Sequence, residues 1–217
     1  MKRSILIAAV TTLTALTAAC APALAVTAND QTQFSVNAGS LSFTSAPDVP
    51  TLTAVTLNGT AQTTNSTMNN FTVQDGTGSA AGWNTTVNGD ASGGKSVVFK
   101  QYCPNATCGT DTGPGYVPSG FTLPANSLTL NSTGASFSAQ SGSTGSAPTL
   151  QCNSACNVDS ASAVKIASAA TSAGMGTWAT TGWSGTSLAL ATPSTLKTLQ
   201  TNEVYRVDLV WTLSSGP

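Results

Sequence analysis

Tyr205-Arg206-Val207-Asp208-Leu209-Val210-Trp211-Thr212-Leu213, close to the C-terminus, sets large apolar residues at every second position. Successive side chains of a β-strand point to opposite faces, so this spacing gathers Tyr205, Val207, Leu209, Trp211 and Leu213 on one face. That face is expected to be core. A buried aromatic ring withdraws about 150–250 Å² from water, worth about 4–6 kcal/mol gross, so Trp211 is an expected anchor. On the other face Arg206 and Asp208 stand two apart, spaced for a weak ion pair.

The same texture runs back along the chain. Short segments rich in Val, Thr, Phe and Leu alternate with Gly, Asn, Asp and Pro clusters, the signature of an all-β protein. Strands are expected at Gln33–Val36, Leu41–Thr44, Thr51–Leu57, Asn70–Gln74, Trp83–Val87 and Ser96–Tyr102. Further strands are expected at Ser127–Leu130, Ala135–Ala139, Ala163–Ser168, Ser187–Ala191 and Val204–Leu213. Asn58-Gly59, Asp75-Gly76, Asn88-Gly89 and Gly93-Gly94 supply turns. Residues 160–173 are rich in Ala, which suits a helix, but Val164 and Ile166 flanking Lys165 favour a strand. The low-complexity stretches 60–69 and 138–147 read as exposed loops. The expectation is one β-sandwich-like domain of immunoglobulin-like or Greek-key type, with long Ser/Thr/Gly-rich loops, over residues 26–217.

Composition narrows the function. The 217 residues hold 7 Lys and Arg, 8 Asp and Glu and no His, so only 7% are charged while 40% are hydrophobic. A formal charge of −1 is unsuited to a nucleic-acid surface. Disordered chains combine low hydrophobicity with high net charge, which this one does not. Without histidine the commonest general base and metal ligand is missing. After the N-terminus no apolar run approaches the ~18 residues of a membrane span.

Met1-Lys2-Arg3, the apolar run through Ala19 and the small-residue pattern Ala23-Leu24-Ala25 form a secretory signal peptide, residues 1–25, cleaved after about Ala25. The alternative is a lipoprotein modified at Cys20, although Thr17 stands where such signals usually carry Leu. Secretion leaves Cys103, Cys108, Cys152 and Cys156, an even number in an oxidising compartment, expected as two disulfides. Local pairing closes short loops worth about 2 kcal/mol each, whereas pairing between the clusters would be worth about 4 kcal/mol. Both connectivities are open from sequence. A zinc site would need these thiolates kept reduced, so no metal is expected.

The terminal string Tyr205, Leu209, Trp211, Leu213 and Pro217 resembles the closing motif of the WxL domain of Gram-positive surface proteins at every fixed position. Gly82 and Trp83, reached through Phe71-Thr72-Val73-Gln74-Asp75, resemble its first tryptophan motif, with Thr85 standing where that family usually has Leu. Leu123 to Leu130 and Gly174 to Trp178 also fit the layout, so the resemblance covers roughly residues 30–217. It implies a secreted, cell-surface protein held non-covalently to the wall through peptidoglycan. Two cysteine pairs and few lysines depart from the family's usual style. The alternative is an adhesin or structural subunit that assembles with other cell-surface proteins through its sheet edges.

Candidate glycan contacts are aromatic: Trp83, Trp178 and Trp183, with Tyr102 and Tyr116 beside the first cysteine pair. The competing reading of each is a packed hydrophobic residue. The acids are Asp30, Asp48, Asp75, Asp90, Asp111, Asp159, Glu203 and Asp208. No two of them stand out as a hydrolytic pair, and Ser and Thr have no His to activate them. Neither catalytic residues nor a cofactor are expected.

Overall fold

Trp83 to Gly89 is the spine of the molecule. In this strand (β4) Trp83, Thr85, Val87 and Gly89 are buried and the residues between them are half-buried, the two-residue period of a strand inside a sheet. It is flanked on both sides: β13 (Val164–Ala169) pairs with one edge and β17 (Leu209–Ser215) with the other, both antiparallel. The computed structural model describes residues 30–140 and 142–217. The stretch from Asn37 to Pro217 forms one compact unit, and the described residues 30–36 belong to a separate one. The expected signal peptide, residues 1–25, and Cys20 lie outside the described residues.

β11 (Thr149–Leu150) completes the sheet of β4, in the order β11-β13-β4-β17. A second sheet runs β1 (Leu41–Ser45), β3 (Thr72–Asp75), β14 (Gly176–Thr181), β10 (Ser136–Gln140). A third runs β12 (Cys156–Asn157), β9 (Leu128–Leu130), β15 (Leu188–Thr192), β2 (Gln62–Ser66). A smaller sheet joins β16 (Val204–Arg206), β5 (Lys100–Cys103) and β8 (Gly115–Tyr116), and β6 (Thr107–Cys108) pairs with β7 (Asp111–Thr112). In the three larger sheets no two neighbours are consecutive in the chain. The fold is all-β and sandwich-like, as its alternating texture demands. One core joins the sheets: Phe71 of the loop before β3, Phe137 of β10 and Trp83 of β4 form a chain of edge-to-face rings, each step 5.8 Å. Such pairs add to the burial of the rings themselves.

Two glycines make this packing possible. A Cβ on Gly82, at φ 76°, would lie 2.3 Å from the Ala169 carbonyl oxygen. One on Gly174, at φ 72°, would lie 2.7 Å from the Trp83 indole nitrogen. That nitrogen donates to the Gly174 carbonyl at 3.1 Å, so the buried ring has its polar atom satisfied. Cys103 bonds Cys108 and Cys152 bonds Cys156, the local pairing.

Several expectations need correction. Gln33–Val36 and Thr51–Leu57 are not strands, since neither finds a sheet edge to pair with. Residues 160–173 do contain a strand, β13, but the presumed loop 60–69 contains β2, whose run Gln-Thr-Thr-Asn-Ser has no apolar residue and is held by pairing with β15. The presumed loop 138–147 begins with the end of β10. β14 had no expected counterpart. The single expected strand Val204–Leu213 is broken at Val207-Asp208, where the chain leaves one sheet for another. Its alternation survives the break: Tyr205, Val207, Leu209, Trp211 and Leu213 all pack against the core. They do so half-buried, and Tyr205, Val207, Leu209 and Trp211 line a groove. Trp211 is therefore a wall of that groove, and Trp83, wholly buried, is the anchor expected of Trp211.

Candidate functional site

The tryptophans divide by burial. Trp83 is 0% and Trp178 4% exposed, so neither presents a face to solvent. Trp178 faces inward because β14 alternates, with Trp178 and Thr180 both buried, and its indole donates to the Met175 carbonyl at 2.9 Å. Trp183 is half-buried against the core and donates to Thr180 Oγ1 at 3.2 Å. Trp83 and Trp178 are packing residues, while Trp183 keeps part of its ring at the surface. A surface role for Trp83 or Trp178 is excluded by their burial.

The two tyrosines are placed differently. β5 and β8 pair Tyr102 directly with Tyr116, and their rings meet edge-on at 5.0 Å. Cys103, next to Tyr102, is tied to Cys108, so the loop between β5 and β8 is cross-linked at the point where the pair forms. On the other side of β5, strand β16 brings the Arg206 guanidinium 4.5 Å from the Tyr102 ring centroid, within cation–π range.

Asp208 holds this cluster together. Its Oδ1 accepts from Arg206 Nε at 3.0 Å and from Nη2 at 2.5 Å, and its Oδ2 accepts from the Tyr116 hydroxyl at 2.6 Å. The Ser96 amide donates to Oδ2 at 3.3 Å. Burial works against the charged carboxylate, but the hydrogen bonds from Tyr116 and Arg206 outweigh it and hold Asp208 below the usual carboxylate range. Burial, reinforced by the same bond to Asp208, pushes the Tyr116 phenol well above its ordinary value, so it stays a hydrogen-bond donor. The Arg206 side chain is 45% exposed. The result is a rigid surface patch of two aromatic rings and a guanidinium plane, with Lys100 on the same strand.

Beside this patch runs a groove of about 1060 Å³. Tyr102 and Arg206 stand on its rim, and Tyr205, Leu209, Trp211 and Leu190 line it. Residues 47–57 cross it as a strap. Pro47 is buried, and Val49, Pro50, Leu52 and Val55 are the strap's partly buried apolar residues. Two side-chain bonds from the body tie the strap down: Asn69 Nδ2 to Asp48 Oδ2 and Gln62 Nε2 to the Thr56 carbonyl, each 2.9 Å. Among the described residues its backbone makes no hydrogen bond to other backbone.

All the acids are in use as structural acceptors. Asp30 takes the Gln31 amide, Asp48 takes Asn69, and Asp75 takes the Thr77 amide and hydroxyl. Asp90 bonds Lys95 at 2.6 Å and is lowered to about 2 by that bond and the Ser92 amide. Asp159 is wholly buried and accepts the Ser127 and Leu128 amides, yet burial raises it above the usual range. Gln200 joins Asp111 and Glu203, donating its side-chain amide to one and its backbone N–H to the other, both at 2.8 Å. The Glu203 carboxyl beside Asp111 pushes Asp111 upward. Asp208 belongs to the tyrosine patch.

Sequence reasoning foresaw Tyr102, Tyr116 and the Arg206–Asp208 pair separately. It missed that cross-strand pairing of β8, β5 and β16 assembles them. Compared with models of known families, with curated proteins and with solved structures, the chain matches none.

Proposed function

We propose that this is a secreted protein that attaches non-covalently to the bacterial cell wall by binding peptidoglycan. The signal-like N-terminus and the WxL-like closing motif support that reading at the level of sequence. The single observation that carries it in three dimensions is the Tyr102–Tyr116–Arg206 patch. Flat aromatic and guanidinium planes suit the C–H-bearing face of a sugar ring, and surrounding hydroxyl and amide side chains suit its hydroxyls. Because Asp208 fixes Arg206 and Tyr116 in place, little side-chain entropy is lost when a ligand docks.

The test is co-sedimentation of the mature protein with purified, protein-free walls. The wild type is expected in the pellet, and retention in the supernatant would overturn the reading. Tyr102→Ser combined with Arg206→Ser should weaken wall binding about tenfold or more with the fold retained, as far-ultraviolet circular dichroism would check. Pelleting unchanged by the double substitution would remove the patch as the contact.

A second reading, a structural subunit that assembles with other surface proteins, is favoured by one feature. Among the described strands β17 pairs with β4 alone, so its other edge carries no backbone ladder.

A further inference from the structure

Phe34 and Val36 are 90% and 82% exposed, the two highest values among the large hydrophobic residues described. They stand two apart in Gln31-Thr32-Gln33-Phe34-Ser35-Val36, an alternating segment with the composition of a strand and no charged residue after Asp30. Among the described residues no strand pairs with it. An extended, uncharged, β-prone segment of this kind is what edge strands recruit.

The same molecule offers a matching acceptor. Among the described strands β16 pairs with β5 alone and β17 with β4 alone, so along the run Val204 to Ser215 each has one side without a ladder partner; β1 comes close to part of β17 without pairing with it. Consecutive residues from Glu203 to Val207 line the groove, as happens when a strand presents its edge; a strand presenting one face would contribute alternate residues only. Val204 and Val210 on that run are themselves exposed at 45% and 38%. The groove lining beside it, Leu209 and Trp211, is apolar and half-buried. A strand added to this edge in register would put two residues spaced i and i+2 on the same face as Leu209 and Trp211.

We infer that a second copy of this chain donates its Gln33–Val36 segment to the β16–β17 edge, laying Phe34 and Val36 into the groove over Leu209 and Trp211. The backbone hydrogen bonds supply general affinity and the two apolar side chains supply register, the division of labour in strand addition. Neither the donor nor the Leu209 and Trp211 lining carries a charge, so two identical copies meet there without repulsion. The strap fits this account. Its two side-chain ties leave it able to shift as the groove fills. The inference is separable from wall binding even though Arg206 belongs to both surfaces: the added strand is held through the backbone of β16 and β17 and through Phe34 and Val36, whereas the patch acts through the side chains of Tyr102, Tyr116 and Arg206.

The experiment is light scattering on the mature chain across a concentration series, comparing wild type with Phe34→Ser/Val36→Ser. The wild type is expected to self-associate as concentration rises, and the double variant to need at least about tenfold more protein. Both residues are exposed, so the melting temperature of the variant monomer should be unchanged. A second arm adds a synthetic peptide of residues 30–40 to the double variant and follows backbone amide shifts by NMR. Shifts confined to β16, β17 and the strap support the inference. A wild type that stays monomeric, a variant that associates equally well, or peptide-induced shifts elsewhere would each overturn it.

Discussion

Thr85 Oγ1 is buried in the middle of β4 and has no hydrogen-bond partner among the described residues. A buried hydroxyl without a partner costs about 1–3 kcal/mol, and Val matches the shape of Thr without that cost. Thr85→Val is therefore expected to stabilise the fold by about 1 kcal/mol, a rise of roughly 2–4 °C in melting temperature for a domain of this size. Calorimetry on the purified chain checks it, and a lower melting temperature would mean that the hydroxyl has a partner. This position is also where the sequence resemblance departs from the WxL pattern, which has Leu. At residue scale the sequence was legible where one conformation or one face decides the matter. Gly82 was picked out by its motif, and the structure supplies the reason in the carbonyl of Ala169. Trp178 was left between a packed residue and a contact, because the Gly and Thr residues around it hide a strand whose alternation points it inward.

The junction between β16 and β17 shows what an element-level reading can and cannot reach. The period of two in Tyr205 to Leu213 was plain in the sequence and all five apolar residues do pack on the core side. The break at Val207-Asp208 was not plain, because it comes from partners distant in the chain. Asp208 donates its amide to the Ser96 carbonyl at 3.0 Å and accepts the Asp90 amide at 2.8 Å, while its carboxylate gathers Arg206 and Tyr116. That carboxylate gives the junction a pH dependence. Its folded value lies below the usual 3.8, so its stabilisation is complete above that value and is lost as pH falls through the lower, folded one. Asp90, lowered to about 2 by Lys95 and Ser92, titrates over the same acid window and adds to the slope. Asp208→Asn keeps an acceptor for Tyr116 but loses the charge facing Arg206, and should cost about 1 kcal/mol at neutral pH. Between pH 4 and 2 the difference from wild type should shrink toward zero in denaturant titrations. A difference that persists at pH 2 would show that the carboxylate's charge is not what holds the junction.

Over the whole molecule, scarcity of charge becomes a statement about binding. Lys95 is paired with Asp90 and Arg206 with Asp208, so two of the cations among the described residues are neutralised where they stand. Lys100, Lys165 and Lys197 remain, on separate elements: β5, β13 and the loop after β15. The sequence showed that charges were few. It could not show that an unpaired strand edge, a strap and a groove would take their place as the distinctive surface, because those arise from pairings between strands far apart in the chain. A protein built this way cannot hold an anionic wall polymer by a field of positive charge. If the tyrosine patch grips glycan, the affinity comes from stacking and neutral hydrogen bonds, which salt screens little. The Debye length falls from about 10 Å at 0.1 M to about 3 Å at 1 M, which removes all but contact electrostatics. Wall co-sedimentation is therefore expected to change by less than about twofold across that range. The cation–π contact of Arg206 with Tyr102 survives because its partners touch. A steep loss of binding over the same range would place the affinity in long-range attraction between Lys100, Lys165 or Lys197 and acidic wall polymers, and would move the contact surface away from the tyrosines.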